Sequence, residues 1–285
     1  MSISISRLEL EVGREHPLVY TQYSPKTKPI KAMLISSATA VHQDYYKRFA
    51  LYFAEQGFAT YTFDYSGFGA SGNTMDYLRS HNGGIIGWGA VDQKAMVQKI
   101  QENHPKLNVV LVTHSIGGQI VGFNPLNTTF EKVIMAASQS GYWKIYSGWD
   151  QMRLWLFWYF FIPVFTPLFG YYPGKSIGIV DNLPRSVVTE WRRWGIKKAY
   201  FMDFYTKAEY HFDTLTAPMR MYSFTNDPFA SKKGVDWLAQ QYKNAKVERI
   251  HFDRGSDGKR PGHFGFFKEE FANDFWKPTL DWLKA

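Results

Sequence analysis

Ser115 stands in Thr113-His114-Ser115-Ile116-Gly117-Gly118, between an apolar run from Val109 to Thr113 and a helical pattern from Gly117 to Phe123. A tight turn from strand to helix lifts a serine hydroxyl clear of a sheet, and small residues after it let the helix pass close to the strand. The spacing is T-x-S-x-G rather than G-x-S-x-G, so Thr113 brings bulk where glycine is usual. A hydroxyl is a poor nucleophile near neutral pH. Ser115 therefore needs a base, and the base needs a third group to hold its tautomer.

For a serine on such a turn, acid and then histidine follow along the chain. Downstream lie His211, His251 and His263. His251 falls inside the apolar run Val247 to Phe252, and His211 lies between Tyr210 and Phe212. His263 sits in a loop, Arg260-Pro261-Gly262-His263-Phe264-Gly265, where a mobile base belongs, and is the favoured candidate. Asp227 follows the run Met219 to Phe224 in Thr225-Asn226-Asp227-Pro228 and is the favoured acid. The alternative for it is a turn-capping aspartate. Asp203 and Asp213 precede that run, and Asp253 and Asp257 follow the next one. An oxyanion needs one backbone N–H after the nucleophile, here Ile116, and one from the loop after an early strand. Within Ser37-Ala38-Thr39-Ala40 the second donor is expected at Thr39.

The elements that must position these groups follow from apolar spacing. A hairpin is expected over Arg7 to Val12 and Leu18 to Tyr23, with strands at Ala32 to Ser36, Ala59 to Phe63, Val109 to Thr113 and Lys132 to Ala136. Helical spacing covers Asp44 to Gln56 and Trp88 to Asn103. This alternation predicts an α/β fold with a mostly parallel central sheet flanked by helices. From 139 to 213 the chain is aromatic and proline-punctuated, and then strand, helix, strand, helix resume at Met219 to Phe224, Ser231 to Tyr242, Val247 to Phe252 and Phe266 to Leu283. We therefore expect a core of 1–138 and 214–285 with an inserted helical cap at 139–213.

On these residues the chain resembles the α/β-hydrolase superfamily, in particular its bacterial serine aminopeptidase-like and monoglyceride-lipase-like branch. Asp64-Tyr65-Ser66-Gly67-Phe68-Gly69-Ala70-Ser71-Gly72 looks like the superfamily's D-x-x-G-x-G-x-S loop, and Leu111 to Gly118 like its nucleophile elbow. Asn226-Asp227-Pro228 and Gly262-His263-Phe264-Gly265 fall where its acid and base motifs fall. Ser37-Ala38 replaces the histidine-glycine pair that often opens its oxyanion loop. The resemblance implies an α/β-hydrolase fold and a serine hydrolase, with a carboxylic ester carrying a hydrophobic acyl or aryl group as the expected substrate. Gly67 to Gly72 also matches G-x-G-x-x-G, but its place after Asp64 in this loop disfavours a dinucleotide.

Composition narrows the rest. Zero cysteines exclude a disulfide framework and a thiol nucleophile, and fit a cytoplasmic protein. Residues 1 to 17 do not read as a secretory signal. The sequence carries no metal-ligand cluster and no cofactor motif, so none is expected. With 33 Lys plus Arg against 25 Asp plus Glu, the charge of +8 suits an anionic membrane surface or acidic substrates, but its scattered pairs do not form a nucleic-acid motif. Leu154 to Phe169 is apolar almost throughout yet too short to span a bilayer, and Pro163 and Pro167 predict bent helices over the site. An aminopeptidase or amidase would need a carboxylate in the cap, for which Glu190 and Asp181 are candidates by location. An acyltransferase and a non-catalytic binding module on the same scaffold stay open.

Overall fold

Strands whose residues are apolar on both faces belong inside a sheet covered by helices on each side. In the computed structural model, which describes residues 3–72, 74–178 and 180–285, those runs form the middle of one eight-stranded sheet. Met1, Ser2, Asn73 and Ile179, which fall within the ranges named above, lie outside the described residues.

The strands are β1 (Ser4–Leu10), β2 (Leu18–Ser24), β3 (Lys31–Ser36), β4 (Phe58–Phe63), β5 (Val109–His114), β6 (Phe130–Ala136), β7 (Met219–Phe224) and β8 (Val247–Phe252), in the order β1-β2-β4-β3-β5-β6-β7-β8. From β4 to β8 every neighbouring pair is parallel, while β1 and β2 add an antiparallel edge. β4 and β5 are buried throughout; β1 is exposed along most of its length and β8 only partly covered, as edge strands should be. Parallel strands present their carboxyl ends at one edge, so the loops after β3, β5, β7 and β8 meet there. Those loops carry Thr39, Ser115, Asp227 and His263.

Two expected helices differ in form. Phe266 to Leu283 does not run as one helix: the extended residue Lys268 separates short turns at Gly265–Phe267 and Glu269–Phe271, and a wide turn at Ala272–Trp276 leads into Lys277–Lys284. Phe266, Phe267, Phe271, Phe275 and Trp276 are all buried, and the break rotates them inward together. A helix at Met75–Ser80, capped by the Thr74 hydroxyl, went unread in the sequence.

Between β6 and β7 the described residues form helices joined by turns, with a short antiparallel bridge between Tyr172 and Leu183. Here Gly148–Phe169 forms one continuous helical run of 22 residues rather than separate bent helices. It reaches the length that crosses a bilayer, so the shorter apolar stretch Leu154 to Phe169 understated it. The run tolerates Pro163 because the turn before it, Phe157–Phe161, widens to π geometry, which eases the ring against the preceding carbonyls. Trp158, Ile162 and Thr166, four residues apart, are buried along its inner face.

Candidate active site

Ser115 occupies the turn at the end of β5 with φ 53° and ψ −115°, a conformation that costs energy for any residue with a Cβ. Its N–H continues the ladder to Ala136 O at 3.0 Å, and the helix Ile116–Gln119 starts at the next residue. A Cβ at Gly117 would strike the Ser36 carbonyl, and one at Gly118 the Ser138 side chain, so the helix packs against β3 and β6 only without them. Thr113 is accommodated by full burial, its Oγ1 3.4 Å from Ser138 Oγ.

The loops after β7 and β8 meet side chain to side chain. His263 Nδ1 lies 2.8 Å from Asp227 Oδ2 and 3.0 Å from Oδ1. Asp227 Oδ1 also accepts from the Phe229 and Ala230 amides, both at 2.8 Å, so the carboxylate is fixed by its own turn. The Gly262 amide donates to Asn226 Oδ1 at 3.0 Å and ties the two loops together. Ser115 and His263 both line one cavity of about 300 Å³. Among the described residues no hydrogen bond joins the Ser115 hydroxyl to His263; such bonds are often long until substrate is bound.

At the end of β3, Ala38 N–H donates to Tyr46 Oη at 2.8 Å, and Val41 N–H closes the turn on Ala38 O at 3.3 Å. Among the described residues no acceptor meets the Thr39 N–H. Ile116 opens its helix, so its N–H is one of those a helix leaves without an internal partner. Thr39 lines the same cavity as Ser115.

Tyr46 and His114 were not singled out by the sequence, yet they link these loops. Tyr46 Oη lies 2.9 Å from His114 Nδ1, and His114 Nε2 lies 2.9 Å from the His263 carbonyl. Since Tyr46 already accepts from Ala38, its proton goes to Nδ1 and His114 donates from Nε2 to the carbonyl. His114 is fully buried, and desolvation together with the neighbouring His263 holds its pKa well below the ordinary histidine range. It is thus a neutral link between the loop after β3 and the loop after β8.

A family model described as serine aminopeptidase matches residues 27–157. A monoacylglycerol lipase of Mycolicibacterium smegmatis is 29% identical over 104 residues, which cover 36% of this chain and 35% of that relative, so the match spans about a third of the relative's length. Among solved structures, a thermostable carboxyl esterase from Bacillus coagulans in complex with glycerol superposes with a TM-score of 0.68 at 12% identity, over 99% of both chains. A soluble variant of the Saccharomyces cerevisiae monoglyceride lipase, in complex with a substrate analogue, gives 0.67 at 11% identity, over 100% of this chain and 96% of that one. The chain has the α/β-hydrolase fold.

Within this fold most of the other candidate residues are engaged elsewhere. His251 faces Ser223 and Thr225 at the β7–β8 edge. Asp253 pairs with Arg254 and Arg260, and Asp257 with Lys259. Glu190 accepts from the Ile85 and Ile86 amides and the Tyr205 hydroxyl, and Asp181 pairs with His42; neither lines the cavity. The Gly67 to Gly72 loop closes on its own anion, since Asp64 accepts from the Ala70 and Gln43 amides. The cavity wall is mainly apolar, with Leu154, Phe157, Trp158 and Phe161 from the long helix and Trp191 from Arg185–Gly195. Gln139, Arg153 and Phe229 line it too, and were not read from the sequence.

Proposed function

We propose that this α/β-hydrolase is a serine hydrolase that cleaves carboxylic esters bearing a hydrophobic acyl or aryl group. The observation that carries this reading is an apolar cavity onto which Ser115 and His263 both open, with the far nitrogen of His263 held by Asp227. Ser115 Oγ attacks the ester carbonyl while His263 Nε2 takes its proton, and Asp227 holds the Nδ1–H tautomer and stabilises the imidazolium. The Thr39 and Ile116 amides receive the oxyanion. His263 then returns the proton to the departing alcohol, and water repeats the sequence on the acyl-enzyme. The residues 139–213 act as a cap whose inner face supplies the acyl pocket.

Among the described residues the cavity wall carries no carboxylate that could hold a substrate ammonium, which favours an ester over an aminopeptidase substrate. The names of the relatives, monoacylglycerol lipase and carboxyl esterase, agree with that choice. The outer face of Gly148–Phe169 exposes Trp149, Met152, Trp155, Phe160 and Leu168, which suits a protein that takes its substrate from a lipid surface.

Intact mass after exposure to a fluorophosphonate tests the chemistry. One adduct on the wild type and none on Ser115→Ala is the expected result. No adduct on folded wild-type protein overturns the reading and leaves a binding module on a hydrolase scaffold.

A further inference from the structure

Arg153, in the second turn of Gly148–Phe169, is the only side chain of permanent charge among the described residues that line the cavity of Ser115 and His263. It lines the cavity and is yet 34% exposed, which places it at the mouth. Among the described residues the carboxylate within ion-pair reach is Asp150, at 3.6 Å, three residues earlier on the same helix and 42% exposed. That distance exceeds a hydrogen bond, and a solvent-screened pair of this kind holds a guanidinium weakly. No acceptor among the described residues takes a hydrogen bond from the Arg153 guanidinium.

An aromatic ring orients the group instead. The guanidinium carbon lies over the Phe229 ring, 4.9 Å from its centroid. Stacking of this kind sets the plane of a guanidinium and leaves its N–H bonds, which lie in that plane, directed outward at the edge. Phe229 is a firm platform, because its N–H donates to Asp227 Oδ1 at 2.8 Å and its carbonyl accepts from Tyr146 Oη at 2.8 Å and Gln139 Nε2 at 3.1 Å. The same ring packs 5.2 Å from the His263 imidazole.

A fork of unengaged donors at the mouth of an apolar cavity suits a carboxylate or a phosphate, which it can hold through two parallel charge-assisted hydrogen bonds. The apolar wall takes the acyl chain, and His263, on whose side Phe229 and Arg153 stand, protonates the departing alcohol. Resting on the hydrolase reading above, we propose that Arg153 is a specificity determinant that binds an anionic group, carboxylate or phosphate, on the alcohol portion of the ester.

The test compares 4-(butanoyloxy)butanoate with 4-(butanoyloxy)butanamide, and 2-(butanoyloxy)ethyl phosphate with its dimethyl ester, on the wild type, Arg153→Met and Arg153→Lys. In at least one pair the expected kcat/KM ratio favours the anion about tenfold or more in the wild type, and falls at least about tenfold in Arg153→Met, which keeps the stem and loses the charge. The pair with the larger wild-type ratio distinguishes carboxylate from phosphate. Arg153→Lys, which keeps a charge without the fork, restores part of the preference. Differences in intrinsic reactivity within a pair cancel between proteins, and so does the pull of the net positive charge, which one substitution barely changes. Fluorophosphonate labelling of Arg153→Met at Ser115 verifies that the variant is folded; if it is not labelled, Arg153→Gln takes its place. The same ratios in wild type and Arg153→Met overturn the proposal. A wild type that is labelled but prefers neither anion overturns it while leaving the hydrolase reading intact. An unlabelled wild type overturns both.

Discussion

At the scale of single residues, Tyr46 serves two loops through one hydroxyl: it accepts from Ala38 N–H and donates to His114, which holds the His263 carbonyl. Removing the oxygen leaves Ala38 N–H and His114 Nδ1 buried without partners, a loss of about 1–3 kcal/mol for each group that finds no new one. Tyr46→Phe should therefore lower the urea midpoint. On the proposed mechanism it should also reduce kcat on a soluble ester by roughly tenfold, because the loops that carry Thr39 and His263 both lose a fixed support. Equal kcat with a lowered midpoint would confine Tyr46 to stability. None of this is legible in the sequence, since Tyr46 only falls within the helical stretch Asp44 to Gln56 and His114 is only a neighbour of Ser115 in its motif. Ser115, Asp227 and His263 are different: each follows a strand, and parallel strands bring their ends together whatever packs between them. The amide direction at Thr39 and the stacking of Arg153 on Phe229 depend on tertiary partners, and no local pattern carries them.

At the scale of elements, strand existence is legible to within a few residues because burial on both faces leaves apolar runs such as Ala32 to Ile35 in β3 and Val109 to Val112 in β5. The long helix was read less well. Its two prolines suggest breaks, but a widened turn absorbs Pro163, and polar residues at its start hide the first turns. Its outer face has a consequence for partners. Trp149 and Leu168, 71% and 72% exposed, stand near its two ends, with Lys144, Arg192 and Arg79 alongside aromatic residues of the same region. An apolar face flanked by cations matches the interface of an anionic bilayer. Placing glutamate at both Trp149 and Leu168 removes about 1.5–3 kcal/mol of apolar transfer at each site and adds charge repulsion. Co-sedimentation with vesicles containing anionic lipid should fall at least about tenfold, with turnover of a water-soluble ester retained. Unchanged sedimentation would refute the surface reading for this helix.

At the scale of the whole molecule, the helical connection is fastened to the sheet by a buried polar strap away from the cavity. Arg14, past the β1 edge, donates to His81 Nε2 at 2.8 Å and lies 3.4 Å from Asp92; His81 Nδ1 lies 3.0 Å from Ser186 Oγ at the start of Arg185–Gly195. Since the guanidinium can only donate, Nε2 must be unprotonated, and the ring is neutral with its proton on Nδ1. Burial, with the Arg14 charge beside it, lowers the His81 pKa to about 4 from an ordinary value of 6.5. The sign follows from proton counting: below 6.5 the unfolded chain binds a proton at this site that the folded one refuses, so stability falls with pH until the folded ring also titrates near 4. The loss between pH 7 and pH 5 from this residue is about 2 kcal/mol. Asp92, whose pKa burial raises, titrates in wild type and variant alike and largely cancels in their comparison. Urea unfolding of wild type and His81→Gln at the two pH values should therefore show the wild type losing about 2 kcal/mol more than the variant. Parallel losses in the two proteins would mean that folding does not shift the His81 pKa. A larger loss in the wild type would identify His81, in the strap that holds the helical connection, as a source of acid lability in the fold.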